Sequence, residues 1–213
     1  MSALLVAVAD SVFPNLDLAR AVVSRAGAEL RLASQPTPDG IVAAAREADA
    51  LLVTYAKINA GMIHEMKKCK IISRFGIGVD NVDIEAATRA GIVVTKVPDY
   101  CIDEVSDHAM ALLLSLVRKI PFSSARAHAG RWEMPAVTPI HRLRGTVLGL
   151  VGFGRIPQLV APKAKAFGMR VVASDPFVPQ SVMDQAGVGK VEFAELLKIS
   201  NKNPLSDVAQ QVI

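Results

Sequence analysis

Residues 146–157 read Thr-Val-Leu-Gly-Leu-Val-Gly-Phe-Gly-Arg-Ile-Pro. An apolar run, Thr146 to Val151, closes on Gly152-x-Gly154, and a helical pattern follows. This is how a buried parallel strand enters a tight turn and then a helix N-terminus, where backbone N–H groups and the helix dipole favour an anion. Gly152 lets the chain turn, and Gly154 lets a pyrophosphate approach the backbone closely. Arg155 and Ile156 follow as the first helical residues, and the third glycine of the dinucleotide fingerprint is replaced by Pro157. A second strand pattern, Met169 to Ser174, ends at Asp175, and 175 − 154 = 21. That is close to the spacing of about 20 expected of an acid that takes ribose hydroxyls. An acid there favours NAD over NADP, because it repels a 2′-phosphate. The alternative is a glycine turn in an unrelated α/β domain, with Asp175 only starting the Asp-Pro turn.

The N-terminal part supplies the same alternation without the fingerprint. Strand patterns at 3–9, 29–33, 50–53, 70–73 and 91–94 are separated by helical stretches at 14–26, 41–48, 62–67 and 84–90. Strands alternating with helices at this spacing predict a parallel sheet covered on both faces. Residues 1–98 therefore read as one α/β domain, and 99–213 as a second, incomplete one. The second opens on 102–119, which reads as a long helix with Asp103 as its N-cap and Pro121 as its stop, followed by a loop from Phe122 to Arg144. In the second domain only two parallel strands are clear. The helical pattern is expected to fade near 199, and Leu205 to Ile213 has no strand-length apolar run.

With 51% hydrophobic and 21% charged residues, the 213-residue chain has ample material for a core. The net charge of +4 is scattered and only 5% of residues are aromatic. A solvated basic face, not a nucleic-acid surface, is the expectation. The first apolar run has no basic flank and is short, and no apolar segment reaches membrane-spanning length, so a soluble cytoplasmic protein without a membrane partner is expected. Cys69 and Cys101 have no metal-spaced partners; free thiols and no metal site are expected.

Three stretches together resemble the D-isomer-specific 2-hydroxyacid dehydrogenase family, whose relatives include phosphoglycerate dehydrogenase and the NAD-binding C-terminal-binding-protein corepressors. They are Arg74-Phe75-Gly76-Ile77-Gly78-Val79-Asp80-Asn81-Val82-Asp83 with the helix and Gly91 after it; Val97-Pro98-Asp99-Tyr100-Cys101 leading to Glu104-Val105-Ser106-Asp107-His108; and Leu148 to Pro157 with Asp175-Pro176. The resemblance implies a flavodoxin-like substrate domain and a Rossmann domain with the active site between them. It implies hydride transfer between NAD and a small 2-hydroxy or 2-keto acid, an oxidoreductase acting on CH–OH donors. Gly76-Ile77-Gly78 would receive the substrate carboxylate on its backbone N–H groups, an anion nest of the kind glycine permits. Ile77 would also meet the nicotinamide end, and Tyr55 would face the substrate or else be a surface tyrosine. Gly152, Gly154, Arg155 and Ile156 would hold the pyrophosphate and Asp175 the ribose. Residues 101–132 would pair two subunits into a homodimer. Asp80 and Asp83 read as turn and helix caps.

The family's arginine, glutamate and histidine have no match here. His64, His108, His128 and His141 stand in the wrong positions, so no catalytic residue is assigned and the chain is expected to be inactive alone, as a truncated or frameshifted product. The alternative is a non-catalytic NAD-binding or dimerising module resembling the corepressor branch. Pro162, inside the helix after Gly154, is expected to make that helix bend or restart near 158–162.

Overall fold

The computed structural model describes residues 3–201. The chain divides into two compact units, Met1–Tyr100 and Cys101–Ile213.

The first unit is a five-stranded parallel sheet. Its elements are β1 Leu4–Val8, α1 Asp17–Arg25, β2 Ala28–Leu32, α2 Pro38–Ala45, β3 Ala50–Val53, α3 Ala60–Glu65, β4 Ile71–Arg74, α4 Ile84–Arg89 and β5 Val93–Thr95. The strand order is β2-β1-β3-β4-β5, the flavodoxin-like order, with the reversal between β1 and β3. Ligands in such sheets bind outside the carboxyl ends of the strands near that reversal. The apolar runs become strands because both faces are covered: Ala7, Leu51, Val53 and Ile72 are fully buried among Ile41, Ile58, Met62 and Ala87. Each fully buried Leu, Ile or Val contributes about 2 kcal/mol by leaving water. Local chemistry agrees with the packing. Thr37, Asn59 and Asp83 cap α2, α3 and α4 by accepting from Gly40, Met62 and Ala86 N–H groups. Asp83 is thus the cap that the sequence suggests. Cys69 is buried and burial pushes its thiol pKa up, while Cys101 is half-buried; both are free.

The second unit opens with α5 Ile102–Val117. Its N-cap is Cys101, in the left-handed region at φ 57°, so Asp103 lies in the first turn and is not the cap. Asp103 and Glu104 still complement the positive end of the helix. Pro121 does not serve as a stop. Lys119 turns the chain at φ 52°, and Pro121 sits in the first turn of a new helix, α6 Ile120–His128, where its missing N–H costs nothing. The expected loop to Arg144 therefore contains α6 and a 3₁₀ turn, Met134–Val137.

Then follow β6 Val147–Val151, α7 Arg155–Ala166, β7 Arg170–Ser174, α8 Gln180–Gln185, β8 Gly189–Lys190 and α9 Phe193–Asn201. The sheet has three parallel strands in the order β6-β7-β8, not two. The third is only two residues long and carries no apolar run, which hides it from a sequence reading. The helical pattern also persists to Asn201, past the point where it was expected to fade. Leu205 to Ile213 lie outside the described residues. Helix α7 is one continuous element, so it does not restart near Pro162. Pro157 is its third residue, among the first four positions whose N–H groups have no helical partner. Phe153, Ala161, Ala164, Ala173 and Met183 are fully buried in this unit's core. Lys163 joins α7 to α5 by donating to Ser106 Oγ and to the Asp107 carboxylate.

Candidate functional site

In the second unit the strand–turn–helix is built around Asp175. Gly152 adopts φ 87°, which a side chain would resist, and its N–H donates to Ser174 O at 2.8 Å. The next N–H, Phe153, donates to Asp175 Oδ2 at 2.7 Å. Asp175 Oδ1 accepts from Phe177 N–H at 2.8 Å and Val178 N–H at 3.1 Å. The Phe153 N–H, then that of Phe177, hold the Asp175 carboxyl below the usual carboxylate range. Asp175 thus ties the end of β7 to the glycine turn. Three N–H groups leave room on its roughly four lone-pair sites for one further donor, such as a hydroxyl.

Gly154 is the N-cap of α7 at φ −71° and ψ −163°, a conformation open to any residue. A β-carbon there would meet nothing within 4 Å. Neither backbone strain nor the protein's own packing demands a glycine, and the space above it is open. Among the described residues, the N–H groups of Gly154 and Ile156 have no partner. Gln158 closes the turn from the other side, donating from Nε2 to Phe153 O at 3.0 Å. The result is a helix N-terminus with bare backbone donors, an open approach and a carboxylate at the tip of the neighbouring strand. Pyrophosphate oxygens and a ribose hydroxyl match those groups in charge and hydrogen-bonding sense.

In the first unit the carboxyl ends of β1, β3 and β4 converge through side-chain contacts. Asp10, after β1, accepts from Thr54 and Tyr55 N–H groups at 2.8 and 2.7 Å, and Thr54 Oγ1 donates to Asp10 O at 3.2 Å. Asn81 Nδ2 donates to Thr54 O at 3.4 Å and Ala56 O at 3.0 Å. Tyr55 itself is 67% exposed, and its ring lies 6.0 Å from the Arg74 guanidinium carbon. After β4, Phe75 N–H donates to Val53 O and Gly76 N–H to Arg74 O, both at 2.9 Å. Gly76 therefore spends its N–H inside the turn. Among the described residues the N–H groups of Ile77 and Gly78 have no partner, and neither do those of Val79, Asp80 and Asn81 further along the loop. Gly76 O also accepts from Val97 N–H at 2.9 Å, which fixes the loop from its far side. Asp10, Thr54 and Asn81 are supports that the sequence reading passed over. The one available signal was their position just beyond strand ends.

Residues 6–213 match the D-isomer specific 2-hydroxyacid dehydrogenase, catalytic domain. The chain belongs to this family. Among curated relatives, D-3-phosphoglycerate dehydrogenase of Methanocaldococcus jannaschii is 38% identical over 77% of the chain and 31% of its own length. Glyoxylate reductase of Thermococcus litoralis is 37% identical over 73% of the chain and 49% of its own length. The chain thus spans half or less of these relatives. Among solved structures, the TT0316 protein from Thermus thermophilus superposes with a TM-score of 0.80 at 32% identity, covering 92% of this chain and 62% of that one. D-lactate dehydrogenase from Aquifex aeolicus, in complex with NAD and lactic acid, shares the fold with a TM-score of 0.76 at 24% identity, over 91% of this chain and 57% of that one. The family is NAD-dependent.

None of the four histidines stands at either group of strand ends. His64 lies on α3, exposed, 3.8 Å from Glu65; His108 and His128 are exposed on α5 and α6; His141 is half-buried before β6. Among the described residues no group of His, Cys, Asp and Glu could hold a metal ion, and no helix is long and apolar enough to cross a membrane.

Proposed function

We propose that this chain carries the nucleotide- and acid-recognising parts of an NAD-dependent 2-hydroxyacid dehydrogenase. The Gly152–Ile156 turn takes the pyrophosphate of NAD on the N–H groups at the start of α7, and Asp175 accepts from the adenosine ribose. In the first unit, the Ile77 and Gly78 N–H groups receive the carboxylate of a small 2-hydroxy or 2-keto acid, with Tyr55 bordering them. When bound, NAD supplies the hydride chemistry; the chain's own residues supply binding and orientation.

The observation that carries this reading is Gly154. Its glycine is unexplained by backbone angles or by packing, and is explained by an external group lying against its α-carbon. The experiment is an NADH fluorescence titration of the 213-residue chain, followed by NADH with a panel of 2-keto acids. Saturable NADH binding is expected, without oxidation, because among the described residues no histidine–carboxylate pair stands at either group of strand ends. Absence of saturable binding at millimolar NADH would contradict the proposal, and steady NADH oxidation would contradict the assignment of no catalytic residue.

A second reading, a non-catalytic module that pairs two copies through residues 101–132, is favoured by the apolar side chains exposed there: Leu112, Ile120, Phe122 and Trp132, the last 86% exposed. Pairing is compatible with nucleotide binding, and absence of turnover is what the two readings share.

A further inference from the structure

Arg74, half-buried, ends β4, and among the described residues its guanidinium has no carboxylate partner. Among the described residues its one hydrogen bond runs from Nε to Thr54 O at 3.2 Å, and the Tyr55 ring stacks against it. These two contacts fix the plane of the guanidinium and leave both terminal nitrogens unspent. A β-carbon added at Gly76 would fall on Arg74 Nη1, so this nitrogen lies directly against the Gly76 α-carbon. The next backbone donors after that α-carbon are the Ile77 N–H and then the Gly78 N–H, both without a partner among the described residues and the nearest along the chain to the guanidinium. A fixed cation and two bare N–H groups therefore occupy one peptide step. An acid faces them: Asp80 Oδ2 comes within 3.3 Å of where a β-carbon of Gly78 would be. Two N–H dipoles beside that charge are a poor anion receptor unless a cation offsets it.

From this juxtaposition we propose that Arg74 is a substrate-positioning residue: its guanidinium completes the carboxylate site of Ile77 and Gly78. On this assignment Gly76 has a function distinct from flexibility. Its missing side chain is the space that Arg74 Nη1 fills. The ligand class is a small monocarboxylate with an oxygen on its second carbon, bound through the carboxylate by one charged and two backbone donors. The proposal rests on the reading of Ile77 and Gly78 as the carboxylate site, and its test separates the two.

The test is a 15N-resolved NMR titration of the full 213-residue chain with glyoxylate, following the amides of residues 75–81. In the wild type, saturable shifts are expected at Ile77 and Gly78. Arg74→Gln should weaken binding by about tenfold or more, the scale of one lost charged hydrogen bond. Arg74→Lys should fall between them, because an ammonium keeps the charge and loses the planar fork. Gly76→Ala keeps every charge and every N–H but displaces the guanidinium, and should weaken binding to a similar degree. The double variant Arg74→Gln/Gly76→Ala should be no weaker than either single variant, since both remove one interaction. Should Arg74→Gln fail to fold, Gly76→Ala, whose φ lies outside the left-handed region, carries the test. Saturable wild-type shifts that persist with unchanged affinity in the variants would overturn the role of Arg74 alone. No saturable shift in the wild type at tens of millimolar glyoxylate would remove the carboxylate site itself, and Arg74 with it.

Discussion

Asp175 ends β7 with three backbone N–H groups on its carboxylate, and the largest effect on its pKa comes from Phe153, in the glycine turn itself. Its folded-state pKa is depressed below the ordinary value of about 3.9. Folding therefore favours the ionised form: the stabilisation is in place above about pH 4 and is lost as pH falls through the depressed value. Asp175→Asn should lower the chemical-denaturation midpoint at neutral pH, and the gap to wild type should narrow in acid. A gap that is constant with pH would show that the carboxylate charge does not hold the turn. The asparagine should also weaken NADH binding, since it disturbs the same N–H array. At this scale the sequence showed Asp175 by spacing, Gly152 and Gly154 by pattern, and Asp83 as a cap. Arg74 stood in plain view within the Gly-x-Gly stretch, but its lack of an acidic partner is a fact about space, not order along the chain. The same holds for Asp10, which reaches Thr54 and Tyr55 across the sheet.

Helix α7 carries two prolines with unequal consequences. Pro157 falls within the first turn, where no N–H is needed. Pro162 is interior and exposed, and it leaves Gln158 O without its helical donor. The helix nevertheless continues because Val160, Ala161 and Ala164 are buried on its other face, against the sheet and α5. Tertiary burial outweighs the local penalty. Pro162→Ala should thus stabilise the chain, by up to about 3 kcal/mol, in a urea titration; equal or lower stability would mean that the proline's ring makes a contact worth as much as the missing bond. The elements that sequence reading located well are β1 to β5 and the strands flanking Gly152. Buried parallel strands such as β1 and β3 are continuous apolar runs, whereas β2, at the edge of the sheet, alternates and buries only Leu30. Sequence reading missed β8, two residues with no apolar signal, and α6, where a proline at a helix start is indistinguishable from one at a helix stop until the turn at Lys119 is known.

For the molecule as a whole, each unit has its own core. The first unit has the full flavodoxin-like order, and the second has three strands in the order found in one half of a doubly wound sheet. The proposed pairing through 101–132 belongs at this scale. Sedimentation should show two copies associated at micromolar concentration, and Trp132→Ala combined with Leu112→Glu should shift the protein toward monomer. A wild-type chain that sediments as a monomer throughout would contradict the pairing.

If the glycine turn before α7 is built for a dinucleotide, NADH titration of Gly154→Ala shows it. Alanine at this position meets no atom within 4 Å and needs no unusual backbone angle. Stability should fall by no more than about 1 kcal/mol, the cost of alanine at an N-cap, while NADH affinity weakens at least about tenfold. Unchanged NADH affinity in Gly154→Ala, or no saturable binding in the wild type, would contradict a dinucleotide site at this turn.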